Sequence, residues 1–82
     1  MSEAFIKKNV KLSLEFDNYL ANHPNLFKAI PNGAYIVITV NGDTKFNIDS
    51  FSIVKDIKNK KIVEAHKSRN SWSLRPMSSL AV

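Results

Sequence analysis

Three groups of residues in this chain are of types and spacing that could do chemistry. The first is Asn9, Ser13 and Asp17, polar residues four apart. On a helix they fall on one face, each a turn above the last. They could form a hydrogen-bonded seam against a partner, or a small binding site with Asp17 as its acid. They could equally face water, or cap the turns at Asn25 or Asn32. The second group is Lys60, Lys61, Lys67, Arg69 and Arg75 around Trp72. Cations neutralise phosphates and an exposed aromatic ring stacks a base, so this combination suits nucleic acid. The third is His66, with Lys67 and Arg69 close in sequence. A histidine among cations is what a metal-free hydrolase or nuclease would bring to a phosphodiester. Each group also has a structural reading: solvated charge, Trp72 packed beside Leu74 in the core, and His66 as a surface or hydrogen-bonded residue.

Other chemistries lack their residues. There is no cysteine, so disulfides and thiol nucleophiles are excluded. His23 and His66 are the only histidines, too few for a closed structural zinc site without thiolates. Gly33 and Gly42 are the only glycines, and they stand nine apart. Phosphate-cradling loops need glycines much closer together. No Gly-x-Ser-x-Gly elbow occurs. Asp49 and Asp56 stand seven apart on one helical face, where they solubilise rather than converge. No metal or cofactor is expected.

Length and charge narrow the class further. With 82 residues, the chain is read as a single domain over 1–82, with 77–82 as a loose tail. Hydrophobic residues make up 44%, a globular proportion. The longest apolar run is Ala34 to Ile38, far too short for a membrane span. No signal-like segment opens the sequence, and with no cysteine the expected location is cytoplasmic. The net charge is +5, and all of the excess falls in residues 55–82. Such asymmetry suits a polyanionic partner, although a solvated, solubilising surface is the more ordinary reading of it.

The elements that must position these groups follow from pattern. Residues 3–22 read as a helix capped by Ser2 and ended before Pro24. Asn25 can cap one further turn, Leu26 to Ile30. Pro31, Asn32 and Gly33 form a turn. Residues 34–40 read as a strand with apolar residues on both faces, Ile36, Ile38 and Val40 against Tyr35 and Val37. Residues 44–58 read as a second helix, with Phe46, Ser50, Ile53, Val54 and Ile57 on one face and Asp43 shaping the turn or capping it. Read as a strand, the segment's apolar set would switch faces between Ile48 and Phe51. Residues 61–67 and 71–75 read as two more strands. The order α-β-α-β-β gives an α/β fold, with α+β as the alternative: a three-stranded sheet and two main helices.

The first helix is wider in its apolar face than one sheet requires. Phe5, Leu12, Phe16 and Tyr19 lie on one side of the Asn9, Ser13, Asp17 stripe, and Ile6, Val10 and Leu14 lie on the other. Its polar arc is Lys7, Lys8, Lys11, Glu15, Asn18 and Asn22. One sheet face needs only about a 100° stripe, and this face spans roughly twice that. The helix is therefore expected to pack against two things.

Within this segment, Phe5-Ile6-x-Lys8-Asn9, Leu12-Ser13-x-Glu15-Phe16-x-x-Tyr19-Leu20-x-x-His23-Pro24 and Ile30-Pro31-x-Gly33-Ala34 resemble the opening of an uncharacterised family of small prokaryotic domains. The resemblance covers residues 5–40. It implies a helix, an Ile-Pro-x-Gly turn, a strand, a second helix and further strands, and so favours helix for 44–58. It implies no activity and no catalytic residue. The Asn41-Gly42-Asp43 loop departs from the family's longer acidic loop containing proline.

The sequence reading is thus a small non-enzymatic interaction module that associates with itself, as a dimer, or with a small protein partner. Its seam would be Asn9, Ser13 and Asp17 with Ile6, Val10 and Leu14. A nucleic-acid-binding regulator, such as one half of a toxin–antitoxin pair, is the alternative and would use Lys60, Lys61, Lys67, Arg69, Trp72 and Arg75. A metal-free hydrolase or nuclease is the third reading.

Overall fold

Helix α1, Glu3–Ala21, begins where the Ser2 hydroxyl accepts the Phe5 N–H at 3.1 Å. Such a cap contributes on the order of 1 kcal/mol. Burial contributes more: Phe5, Leu12, Phe16 and Leu20 are all in the core, at roughly 1.5–3 kcal/mol each. In this computed structural model, which describes residues 2–76, α1 ends at Ala21 with Asn22 as its C-cap residue, and His23 closes over its last turn. The His23 ring stacks on Tyr19, and its Nδ1 lies 2.7 Å from the Tyr19 carbonyl oxygen. A carbonyl only accepts, so Nδ1 carries the proton and satisfies one of the helix's last acceptors. The short α2, Pro24–Lys28, takes His23 and not Asn25 as its N-cap residue. Pro24 fits the first helical position, where its missing N–H costs nothing, and this draws Asn25 inside the helix.

Strand β1 is Tyr35–Val40, β2 is Ile62–Ser68 and β3 is Ser71–Pro76. They form one sheet in the order β1-β2-β3, with β1 and β2 parallel and β2 and β3 antiparallel. The register sets Ile36, Ile38 and Val40 beside Val63, Ala65 and Lys67. Lys67 in turn pairs with Trp72, and Ala65 with Leu74. Alternation puts these residues on a first face, which α1 covers. There Phe16 and Trp72 meet with ring centroids 5.0 Å apart, and Ile38 and Ala65 fill the floor. The second face carries Tyr35, Val37, Thr39, Ile62, Glu64, His66, Ser73 and Arg75.

Helix α3, Thr44–Val54, connects β1 to β2. Asn41-Gly42, a pair common in hairpins, here turns the chain from β1 into α3. Gly42 takes φ 82 in a turn closed by the Asp43 N–H on the Val40 carbonyl, and Asp43 then accepts the Phe46 N–H as N-cap. Positive φ at the third residue of such a turn suits glycine. α3 stops at Val54, short of the expected 58. Ile57 still packs on Val37, Val54 and Ile62, but from the turn after the helix. α3 lies along the outer edge of β1 and laps onto the second face, where its Val54 packs with Val37 and Ile62. The Asn47 side-chain amide accepts the Val40 N–H and donates to the Val40 carbonyl, both at 2.8 Å. It does for Val40 what a neighbouring strand would do. Phe46 packs on Phe5 at 5.1 Å, and Lys8 pairs with Asp43, tying α3 to α1. Residues 77–82, read as a tail, lie outside the described residues.

Two predictions follow from these tethers. Asn47→Leu, close in volume, should lose about 1–3 kcal/mol in urea unfolding, because it leaves the Val40 N–H unpaired on a half-buried edge and the Val40 carbonyl with only the Asp43 N–H; an unchanged midpoint would refute the edge-sealing role. The second concerns acid. Hydrogen bonding from Lys8, and then from the Phe46 N–H, lowers the Asp43 pKa below its ordinary value. The unfolded chain therefore binds that proton more readily than the folded one. The stabilisation is complete above the ordinary aspartate pKa and is lost as pH falls through the lowered value. Asp43→Asn should flatten the acid limb of the stability–pH curve, and parallel limbs would contradict the assignment.

Candidate functional site

α1 presents two unlike apolar flanks. Phe5, Leu12 and Phe16 are buried, while Ile6, Val10 and Leu14 are 50%, 53% and 60% exposed. One flank is thus core, and the other borders a shallow groove of about 550 Å³ edged by Lys7, Lys11 and Glu15. Asn9 and Ser13 are half-buried between the flanks, and Asp17 is exposed. The Ser13 hydroxyl donates to the Asn9 carbonyl at 2.8 Å, so its hydrogen bond is made within the helix. The stripe borders a cavity of about 160 Å³ with Ile30, Ile36 and Ile38. Among the described residues, no helix is long and apolar enough to cross a membrane.

The basic group expected from the last third does not assemble. Trp72 is buried against Phe16, so it has no face to offer a base. Lys60 and Lys61 precede β2 at one end of the sheet, whereas Lys67 and Arg69 lie at the other. Arg75 is on the second face, 3.9 Å from Glu64. A strand's two ends and two faces separate what the sequence runs together.

Instead, Lys67 and Arg69 meet Lys7, Lys8 and Lys11 of α1 around a cleft of about 690 Å³. Val40 and Asn41 complete it at the carboxyl ends of the parallel strands, with Leu12 and Glu15 on the helix side. Lys67 is 2.6 Å from Glu15, and its side chain is 23% exposed. Lys7 is paired with Glu3 at 3.1 Å. Among the described residues, Lys11 and Arg69 have no carboxylate partner. The sequence hid this cluster because the three helix lysines are offset by acids elsewhere in residues 1–54. The visible signal was their shared polar arc.

The second sheet face holds a group that the sequence reading did not connect. The Thr39 hydroxyl donates to Glu64 Oε2 at 2.5 Å and lies 2.8 Å from His66 Nδ1. Having one proton to give, it must accept from the ring, so His66 is protonated at Nδ1. His66 Nδ1 and Glu64 Oε2 are 3.5 Å apart. Thr39 is 1% exposed, which closes its hydroxyl to a substrate. Lys67 and Trp72 occupy the opposite face from His66, so the histidine–cation grouping expected of a hydrolase is not formed around it. Polar residues at 39, 64 and 66, in register across the β1–β2 pair, were the readable signal.

The model of a family of unknown function, DUF5647, matches residues 4–65, and the chain belongs to that family. No curated protein and no solved structure matches the chain.

The geometry of the second face predicts a structural cost. Thr39→Val keeps the shape but removes the donor closest to a buried carboxylate, and should lower unfolding free energy by about 1–3 kcal/mol. Ser73→Ala, at the exposed position across from His66, should change it by less than about 0.5 kcal/mol. Equal effects of the two substitutions would mean that the Thr39 hydrogen bonds contribute nothing specific.

Proposed function

We propose that this member of a family of unknown function is a non-enzymatic interaction module that pairs with a second copy of itself through the outer flank of α1. The observation behind this reading is the exposure of Ile6, Val10 and Leu14 on a helix whose opposite flank is already filled by the sheet. Single exposed aliphatic residues are ordinary. Three at i, i+4 and i+8 form a continuous ridge, and such ridges interdigitate with their own kind at a crossing angle of about −50°.

The rim charges favour a second copy in antiparallel order. Lys7 and Lys11 lie toward the N-terminal end of the groove and Glu15 toward the C-terminal end. Antiparallel helices bring each Glu15 toward the other copy's lysines, while parallel helices set lysine against lysine. A two-fold axis then places Val10 opposite Val10. Three aliphatic side chains and their rim form a small contact compared with the roughly 800 Å² per partner of a standard interface. The dimer is therefore reversible and concentration-dependent.

Light scattering over a concentration series tests the reading. The protein should move from monomer to dimer as concentration rises. Val10→Asp should hold it monomeric with an unchanged thermal midpoint, because Val10 is half exposed in the monomer. A monomer at every concentration, or a Val10→Asp protein that still dimerises, would overturn the reading.

A further inference from the structure

We infer that the basic cleft between α1 and the carboxyl ends of β1 and β2 binds a small organic phosphate. The cleft lies outside the carboxyl ends of β1 and β2, the parallel pair of this sheet. The cleft's volume of about 690 Å³ is that of a small-molecule pocket. Its wall combines five cations with an apolar patch of Leu12 and Val40. The cations suit a phosphoryl group, and the patch suits an organic body.

Two residues show that charge is placed here against local preference. Lys67 lies on the first sheet face, in the row with Val40 and Trp72, where the neighbouring positions are core. Its stem packs there while its ammonium reaches the cleft and Glu15. Arg69 is the first residue of the two-residue turn between β2 and β3, and it holds φ 59. Glycine or asparagine is the usual occupant of such a position. An arginine there supplies a guanidinium that lines the cleft and has no carboxylate partner among the described residues. With Lys11 it can take a phosphate without breaking an existing ion pair, while Lys67 can exchange Glu15 for it.

A small phosphate fits better than a nucleic-acid strand. Among the described residues no aromatic ring lines the cleft, Trp72 is buried, and Lys60 and Lys61 lie at the far end of the sheet. The described residues form no continuous basic track with a stacking platform.

Titration of inorganic pyrophosphate at low ionic strength, followed residue by residue by NMR, tests the inference. Saturable shifts should be confined to Lys7–Glu15, Val40–Asn41 and Lys67–Asn70, and should weaken with added salt. Arg69→Gly relieves the left-handed backbone, so the variant should fold at least as well while binding about tenfold more weakly, the loss of one hydrogen bond to a charged group. Lys60→Ala with Lys61→Ala should bind as the parent does. No saturable binding, shifts centred on Lys60 and Lys61, or undiminished binding by Arg69→Gly would overturn the inference. So would tighter binding of an oligothymidine strand than of pyrophosphate, which would assign the cleft to nucleic acid. Val10→Asp should still bind pyrophosphate, which separates this site from self-association.

Discussion

The structure depends on one packing constraint: a three-stranded sheet has two faces, and this chain has a single long helix to cover them. α1 lays Phe5, Leu12, Phe16 and Leu20 on the first face, where Phe16 meets Trp72 and the small Ala65 leaves room for both. The buried aromatic pair contributes both area and geometry. The other surfaces of the sheet must then be closed by other means. The outer edge of β1 is closed by α3, with Asn47 pairing the Val40 backbone. The second face closes part of itself with a polar network in which Thr39, Glu64 and His66 satisfy one another. Buried polar groups need partners, and here the parallel register of β1 and β2 supplies them.

Much of this organisation was legible in the residues. Ser2 marked the start of α1 and Pro24 its end. The doubly apolar β1 announced cover on both sides. Spacing of Phe46, Ser50 and Val54 decided helix over strand for α3, and those three residues are its buried ones. The end of α3 was less legible, because Ile57 continues the apolar pattern while packing from a turn. Sequence periodicity records which residues face the core and not the backbone that carries them there.

The candidate sites divide along the same line. The two flanks of α1 were readable because helical geometry alone separates Ile6, Val10 and Leu14 from Phe5, Leu12 and Phe16. The structure places the second set inside and the first in solvent. The basic group was misread because Lys60, Lys67, Arg69 and Arg75 are neighbours only along the chain. Strand direction, strand alternation and the β2–β3 turn send them to two ends and two faces. What Lys67 and Arg69 meet in space, the lysines of α1, lies more than fifty residues away in sequence.

One flank of α1 holds the sheet and the other stands exposed, and the proposal that the exposed flank takes a second copy stands or falls on position 10. Because the chain has no cysteine, it can be tested with a single introduced thiol. Val10→Cys should form a disulfide-linked dimer under mild oxidation, since a two-fold contact brings position 10 against itself. Ser52→Cys, on the exposed side of α3, should not. Efficient cross-linking at 10 and little at 52 is the predicted result. Equal cross-linking at both positions, or none at 10, would contradict it.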